Sequence, residues 1–131
     1  MKVLLDTSYI YNLVDAPSRL SQREQLVLTS RTIELYASAV SIWEMRLKWS
    51  ALHASGARKS PHDPRDVLAA LEDQDLVYLP LTMSHAARPL ETPIAHKDPF
   101  DELLLVQAQE EGLRLLTVDR QLLDHPLALS A

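Results

Sequence analysis

The sequence contains no cysteine. Disulfide scaffolds, thiolate metal sites and cysteine nucleophiles are therefore excluded, and the chain suits a reducing compartment. It has only two glycines, Gly56 and Gly112, far apart. That excludes a dinucleotide-binding G-x-G-x-x-G turn and a phosphate-cradling P-loop, which need clustered glycines. Low-complexity tracts are missing, so a collagenous or repeat protein is excluded too. Long uncharged runs are absent as well. The longest stretch free of Asp, Glu, Lys and Arg runs from Leu76 to Ala87, 12 residues that include Pro80 and His85. A helix crossing a bilayer needs about 18 or more. The N-terminus has Lys2 and Asp6 but no apolar signal core, so the expectation is a cytoplasmic protein without a membrane partner. His53, His62, His85, His96 and His125 show no metal-ligand spacing and read as surface or satisfied core residues. Ser8 and Ser41 lack a nucleophile-elbow context.

What is present is enough for a real core. Of 131 residues, 47% are hydrophobic and 24% charged, which is globular and of single-domain size. The net charge of −5 is unevenly spread. Residues 46–65 hold Arg46, Lys48, Arg58, Lys59 and Arg65 against Asp63 alone, whereas the other 111 hold 8 basic and 17 acidic residues. An acidic protein with a basic strip can still meet a polyanion there; the plainer reading is a solvated connection.

Strand and helix patterns alternate. Val3-Leu4-Leu5 is an apolar run without polar alternation, which predicts a fully buried strand. Thr7 or Ser8 can cap a helix carrying Tyr9, Ile10, Leu13 and Val14. A weaker helix is expected over Ser21 to Ser30 and a second strand over Ile33 to Tyr36. From Ala39 to Leu52 the spacing of Val40, Trp43, Leu47 and Ala51 predicts a helix with that stripe inward, and Trp43 and Trp49 read as core. Ser55 to Pro64 should be a loop, followed by a short helix with Val67, Leu68 and Leu71. Leu76 to Leu79 is a third strand, stopped by Pro80, and Thr82 to Leu90 is helical. Asp98-Pro99 opens the clearest helix, with Asp98 as N-cap and Gly112 able to end it. Leu113 to Val118 is a fourth strand, followed by Asp119, a short helix and a last apolar run at Leu127 to Leu129. The alternation implies an α/β fold with a central, mostly parallel sheet between helical layers.

In such sheets ligands sit beyond the carboxyl ends of the strands. Asp6 and Asp119 stand just past two strand ends, and Asp101 and Glu44 lie early in helices that reach the same edge. Four converging carboxylates repel unless a cation sits among them, and an all-oxygen set favours Mg²⁺, with Mn²⁺ as a substitute. Each acid also has a plain reading. Asp6, Asp98, Asp101 and Asp119 can be caps, and Glu44 can pair with Lys48 four residues on.

The segments LLDTSYI (Leu4 to Ile10), SIWEMRLK (Ser41 to Lys48), LPLTMSHA (Leu79 to Ala86) and HKDPFDELLLVQAQEEGLRLLTVD (His96 to Asp119) resemble a PIN-domain protein. The resemblance is to the toxins of VapBC toxin–antitoxin pairs and covers most of the chain in order. It implies a three-layer α/β/α PIN-like fold as one domain over 1–131. It also implies a Mg²⁺-dependent endoribonuclease, with the family's acidic site carried onto Asp6, Glu44, Asp101 and Asp119. Asp6, Asp101 and Asp119 would hold the metal. Arg46, Lys48, Arg58 and Lys59 are the candidate RNA contacts. A homodimer and a cognate antitoxin are the partners implied. Two departures stand out: Glu102 follows the DPFD motif where arginine is frequent, and Ser50 to Pro64 fits the pattern poorly. The other readings are a non-catalytic RNA- or protein-binding module of this fold, and a receiver-like Mg²⁺-binding signalling domain. The latter needs an acidic pair after the first strand and a phosphoacceptor after the third.

Overall fold

A computed structural model describes residues 1–15, 17–96 and 98–131; Lys97 of the HKDPFD motif lies outside the described residues. Five strands form one sheet: β1 (Lys2–Leu5), β2 (Glu34–Ser38), β3 (Val77–Leu79), β4 (Arg114–Leu116) and β5 (Ala128–Leu129). Every pairing is parallel, and the order is β3-β2-β1-β4-β5. Among the described residues six α-helices flank it, α1 (Thr7–Asp15), α2 (Gln22–Thr29), α3 (Ala39–Ser50), α4 (Pro64–Leu71), α5 (Met83–Ala87) and α6 (Pro99–Glu111), with a short 3-10 helix at Pro17–Arg19.

Alternation along the central strands builds two cores. Val3 and Leu5 of β1, Leu35 and Ala37 of β2 and Leu116 of β4 pack with Tyr9, Ile10, Met45, Val67 and Leu71 on one face. Leu4 and Leu115, paired in register, turn to the other face with Leu79, Leu104, Leu105 and Ala108. The sheet is thus buried on both sides, which explains the unbroken apolar run of β1. The result is a three-layer α/β/α fold.

From β1 the chain moves outward to β2 and β3; from β4 it moves the other way to β5. The crevice between the carboxyl ends of β1 and β4 is therefore a topological switch point, where open α/β sheets bind ligands.

Several expectations shift. The strand expected at Ile33 to Tyr36 runs over Glu34–Ser38, because its register follows β1 on one side and β3 on the other. The helix expected over Thr82 to Leu90 is the shorter α5, capped by Thr82. No helix follows Asp119: turns occupy residues 120–127, with i→i−3 bonds from Leu122 to Asp119 and from His125 to Leu122. On α3 the inward residues are Val40, Ser41, Glu44 and Met45; of the expected stripe Val40 is buried, whereas Trp43 and Leu47 are exposed. Trp43 is 45% exposed and meets Phe100 edge-on at 5.4 Å between ring centres. Trp49, half-buried, lies under the Arg58 guanidinium. The tryptophans are surface residues, and polar side chains take the inward face they would have filled.

Candidate metal centre

Asp6 follows β1 directly and is buried. Its Oδ1 accepts the Thr7 backbone N–H at 2.8 Å, and its Oδ2 accepts the Thr117 hydroxyl at 2.7 Å. The same Thr117 oxygen accepts the Asp119 backbone N–H at 3.0 Å. One buried hydroxyl thus ties the ends of β1 and β4 together and fixes Asp6 relative to Asp119. Asp119 Oδ1 accepts the Gln121 N–H at 2.9 Å, so this residue also serves the turn that follows.

Glu44 comes from α3. Its Oε1 accepts the Thr7 hydroxyl at 2.8 Å, and its Oε2 accepts Lys48 Nζ at 2.6 Å. The Ser41 hydroxyl lies 3.0 Å from that of Thr7. The inward turn of Ser41 and Glu44 is explained by these partners. The i,i+4 pairing with Lys48 is present, and the Glu44 charge also acts on Asp6.

Asp101 sits in the first turn of α6, buried. Asp98 is the N-cap, accepting the N–H groups of Phe100 at 2.9 Å and Asp101 at 3.3 Å. Asp101 Oδ2 lies 3.0 Å from His96 Nε2. His96, Asp101 and Asp119 each offer one ligand atom, all within 4.8 Å of one another. His96 was not legible as a member of this group, because it belongs to no periodic element and has no ligand spacing in the chain.

The electrostatics reflect crowding. Burial pushes the Asp6 carboxyl above the usual 3.8, against hydrogen bonds from Thr117 and Thr7 that lower it; the charges of Glu44 and Asp119 add to the rise. Burial also pushes Asp101 up to about 6; the His96 contact opposes this, and Asp6, Asp98 and Asp119 reinforce it. The hydrogen bond to Asp101 in turn holds the His96 imidazolium above its usual range, despite some desolvation. Carboxylates that resist ionising together, in a crevice with oxygen donors on several sides, are what a divalent cation relieves. Asp101 and Asp119 share the group with His96 whose ligand atoms lie close enough for one ion, while Asp6 and Glu44 stand outside that group and are coupled to it by charge; carboxylate oxygens dominate the set, which suits a hard ion.

The basic residues are differently placed. Lys48 is committed to Glu44. Arg58 Nη1 donates to the Trp49 carbonyl at 2.7 Å, and its guanidinium lies 4.1 Å from the Trp49 ring centre. Arg65 grips Asp63 with Nε at 3.2 Å and Nη2 at 2.8 Å. Lys59 is exposed on the loop. Arg46 lines an apolar groove of about 720 Å³ with Ile42, Trp43, Leu68 and Tyr78.

The fold and this cluster define a doubly wound α/β protein with a carboxylate-lined crevice at its switch point. Residues 3–126 match the family model of the PIN domain, and the chain belongs to that family. Among solved structures, a chain from the crystal structure of VapBC2 from Rickettsia felis, bound to a DNA fragment from their promoter, is similar with a TM-score of 0.63. The likeness covers 100% of this chain and 98% of that one at 16% identity, so it is a likeness of fold. No curated protein matches the sequence. No helix among the described residues is long and apolar enough to cross a membrane.

Proposed function

We propose that the chain is a Mg²⁺-dependent endoribonuclease acting as the toxin of a toxin–antitoxin pair. The observation that carries the reading is the Asp6–Thr117–Asp119 linkage at the switch point, with Asp101 buried beside it. Asp6, Asp101 and Asp119 would hold the ion, and Glu44 would flank it. Bound there, Mg²⁺ supplies an activated water and offsets charge on the phosphodiester. The chain's own residues fix the carboxylates. Thr117 and the Thr7 N–H orient Asp6, and the Thr7 hydroxyl holds Glu44.

A protein partner is supported by the apolar groove with Arg46 and Arg65 at its walls, which suits an apolar segment bearing acids. The neighbouring VapBC2 structure is named for two partners, and an antitoxin and a homodimer belong to this proposal. The receiver-like alternative is disfavoured because β3 is an edge strand ending at Leu79 and Pro80, without a phosphoacceptor.

The test is cleavage of a long RNA by the purified chain. Internal cuts are expected with Mg²⁺ and none with chelator or with Asp119→Asn. An RNA left intact with both Mg²⁺ and Mn²⁺ would leave the binding-module reading in place.

A further inference from the structure

His96 precedes α6 and is mostly buried, with 18% of its side chain exposed. Its Nε2 faces Asp101 Oδ2 at 3.0 Å. A carboxylate only accepts hydrogen bonds, so this contact places the ring proton on Nε2. Nδ1 is buried with no hydrogen-bond partner among the described residues. Nε2 is engaged by Asp101, and the alternative, in which His96 binds the ion directly beside Asp101 and Asp119, is the outcome the experiment below separates. Residues that ligate a metal through a carboxylate are themselves held by hydrogen bonds, and losing such a bond costs metal affinity. Asp6 has Thr117 and Thr7 for this purpose, and Glu44 has Thr7 and Lys48. Among the described residues, the His96 contact is the one side-chain hydrogen bond that Asp101 receives.

We propose that His96 is a positioning residue of the metal site, whose Nε2–H pins Asp101 Oδ2 so that Oδ1 is turned to the ion. The proposal rests on the reading of Asp6, Asp101 and Asp119 as the metal site. It gives the residue two places before the DPFD motif a role distinct from the ligands. It also explains how Asp101, at the start of a helix, keeps one rotamer without a partner from the sheet.

The experiment compares Mn²⁺ binding to the full chain and to two variants of similar volume, His96→Gln and His96→Met. Gln carries an amide N–H to about the position of Nε2; Met fills the space but donates nothing. Free Mn²⁺ is followed by electron paramagnetic resonance, and folding is checked by thermal melting. The expected result is affinity near wild type for Gln and a loss of about 10–100-fold for Met, with both variants folded. Pulsed measurement of the bound Mn²⁺ should show no directly coupled imidazole nitrogen in the wild type. Two results overturn the proposal: equal affinity in the Met variant, or a nitrogen coupling in the wild type that His96→Gln removes, which would make His96 a ligand. Failure of the underlying reading looks different, because wild type and Asp6→Asn would then bind Mn²⁺ equally poorly.

Discussion

Asp101 carries the strongest pH signature of the site, with a pKa of about 6 against the usual 3.8. A raised folded-state pKa gives stability that is fully present below the unfolded value and lost as pH rises through the folded one. For Asp101 that window runs from 3.8 to about 6, and the contribution is at most about 3 kcal/mol. His96 shifts upward from 6.5, so its contribution has the same sign and is lost as pH rises through the raised value. Without metal, the melting temperature of the wild type should therefore fall more steeply from about pH 4 to 7 than that of Asp101→Asn. Saturating Mg²⁺ should remove most of the difference. Identical slopes in a pH series of melts would mean that Asp101 ionises as freely as an exposed carboxylate. Asp6→Asn belongs to the same logic. Asn can still accept from Thr7 and face Thr117, while one like charge leaves the crevice. Such a variant should keep or gain metal-free stability and lose RNA cleavage, which paired melts and cleavage assays would check. Thr117→Val removes the donor to Asp6 Oδ2 and the acceptor for the Asp119 N–H. Its expected effect is about 10–100-fold weaker metal binding, measured by titration.

Local chemistry and distant partners shape the elements unequally, and this decides what the sequence discloses. α6 is legible because its signals are adjacent in the chain: Asp98 caps it, Pro99 starts it, and Gly112 ends it at φ 69°, a left-handed conformation that favours glycine. Asp98→Ala should cost about 1 kcal/mol in denaturant unfolding, whereas Asp98→Ser keeps an oxygen cap and should cost only a few tenths. Cleavage by Asp98→Ser close to wild type would mark Asp98 as a cap; a loss as deep as that of Asp101→Asn would make it part of the metal site. α3 is the opposite case. Its apolar stripe pointed Trp43 and Leu47 inward, but Ser41 and Glu44 take that face because Thr7, far away in the chain, supplies their hydrogen bonds. Hydrophobic period is a sound guide until a site asks a helix to turn its polar side in. The four acids are legible as candidates because three follow or open regular elements. Thr117 and His96 were missed because a hydroxyl inside an apolar run and a histidine in a loop acquire meaning only when β1, β4 and α6 meet.

At the scale of the whole molecule the difficulty is charge. The chain carries −5 and gathers carboxylates at one edge, yet its proposed substrate is a polyanion. The ion offsets part of the repulsion, and the strip from Arg46 to Arg65 is the natural source of the rest. The structure divides that strip. Lys48 neutralises Glu44, Arg65 holds Asp63, and Arg58 is engaged by Trp49. Among the described residues, Arg46 and Lys59 make no ion pair, so they are the cations most available to phosphate. Removing Lys48 would do something else, leaving the buried Glu44 charge without its partner and disturbing the metal site. The discriminating variant is therefore Arg46→Ala with Lys59→Ala. Its binding to single-stranded RNA, followed over a salt series, should weaken and lose about 0.7 of logarithmic slope for each phosphate contact removed. Metal affinity should stay at the wild-type value, since neither residue touches the carboxylates. Lys48→Ala should show the reverse pattern, with metal affinity changed more than the salt slope. If the double variant instead binds RNA with an unaltered slope while its grip on a protein partner falls, the Arg46 side of the groove serves that partner, and RNA is held elsewhere on the carboxyl edge.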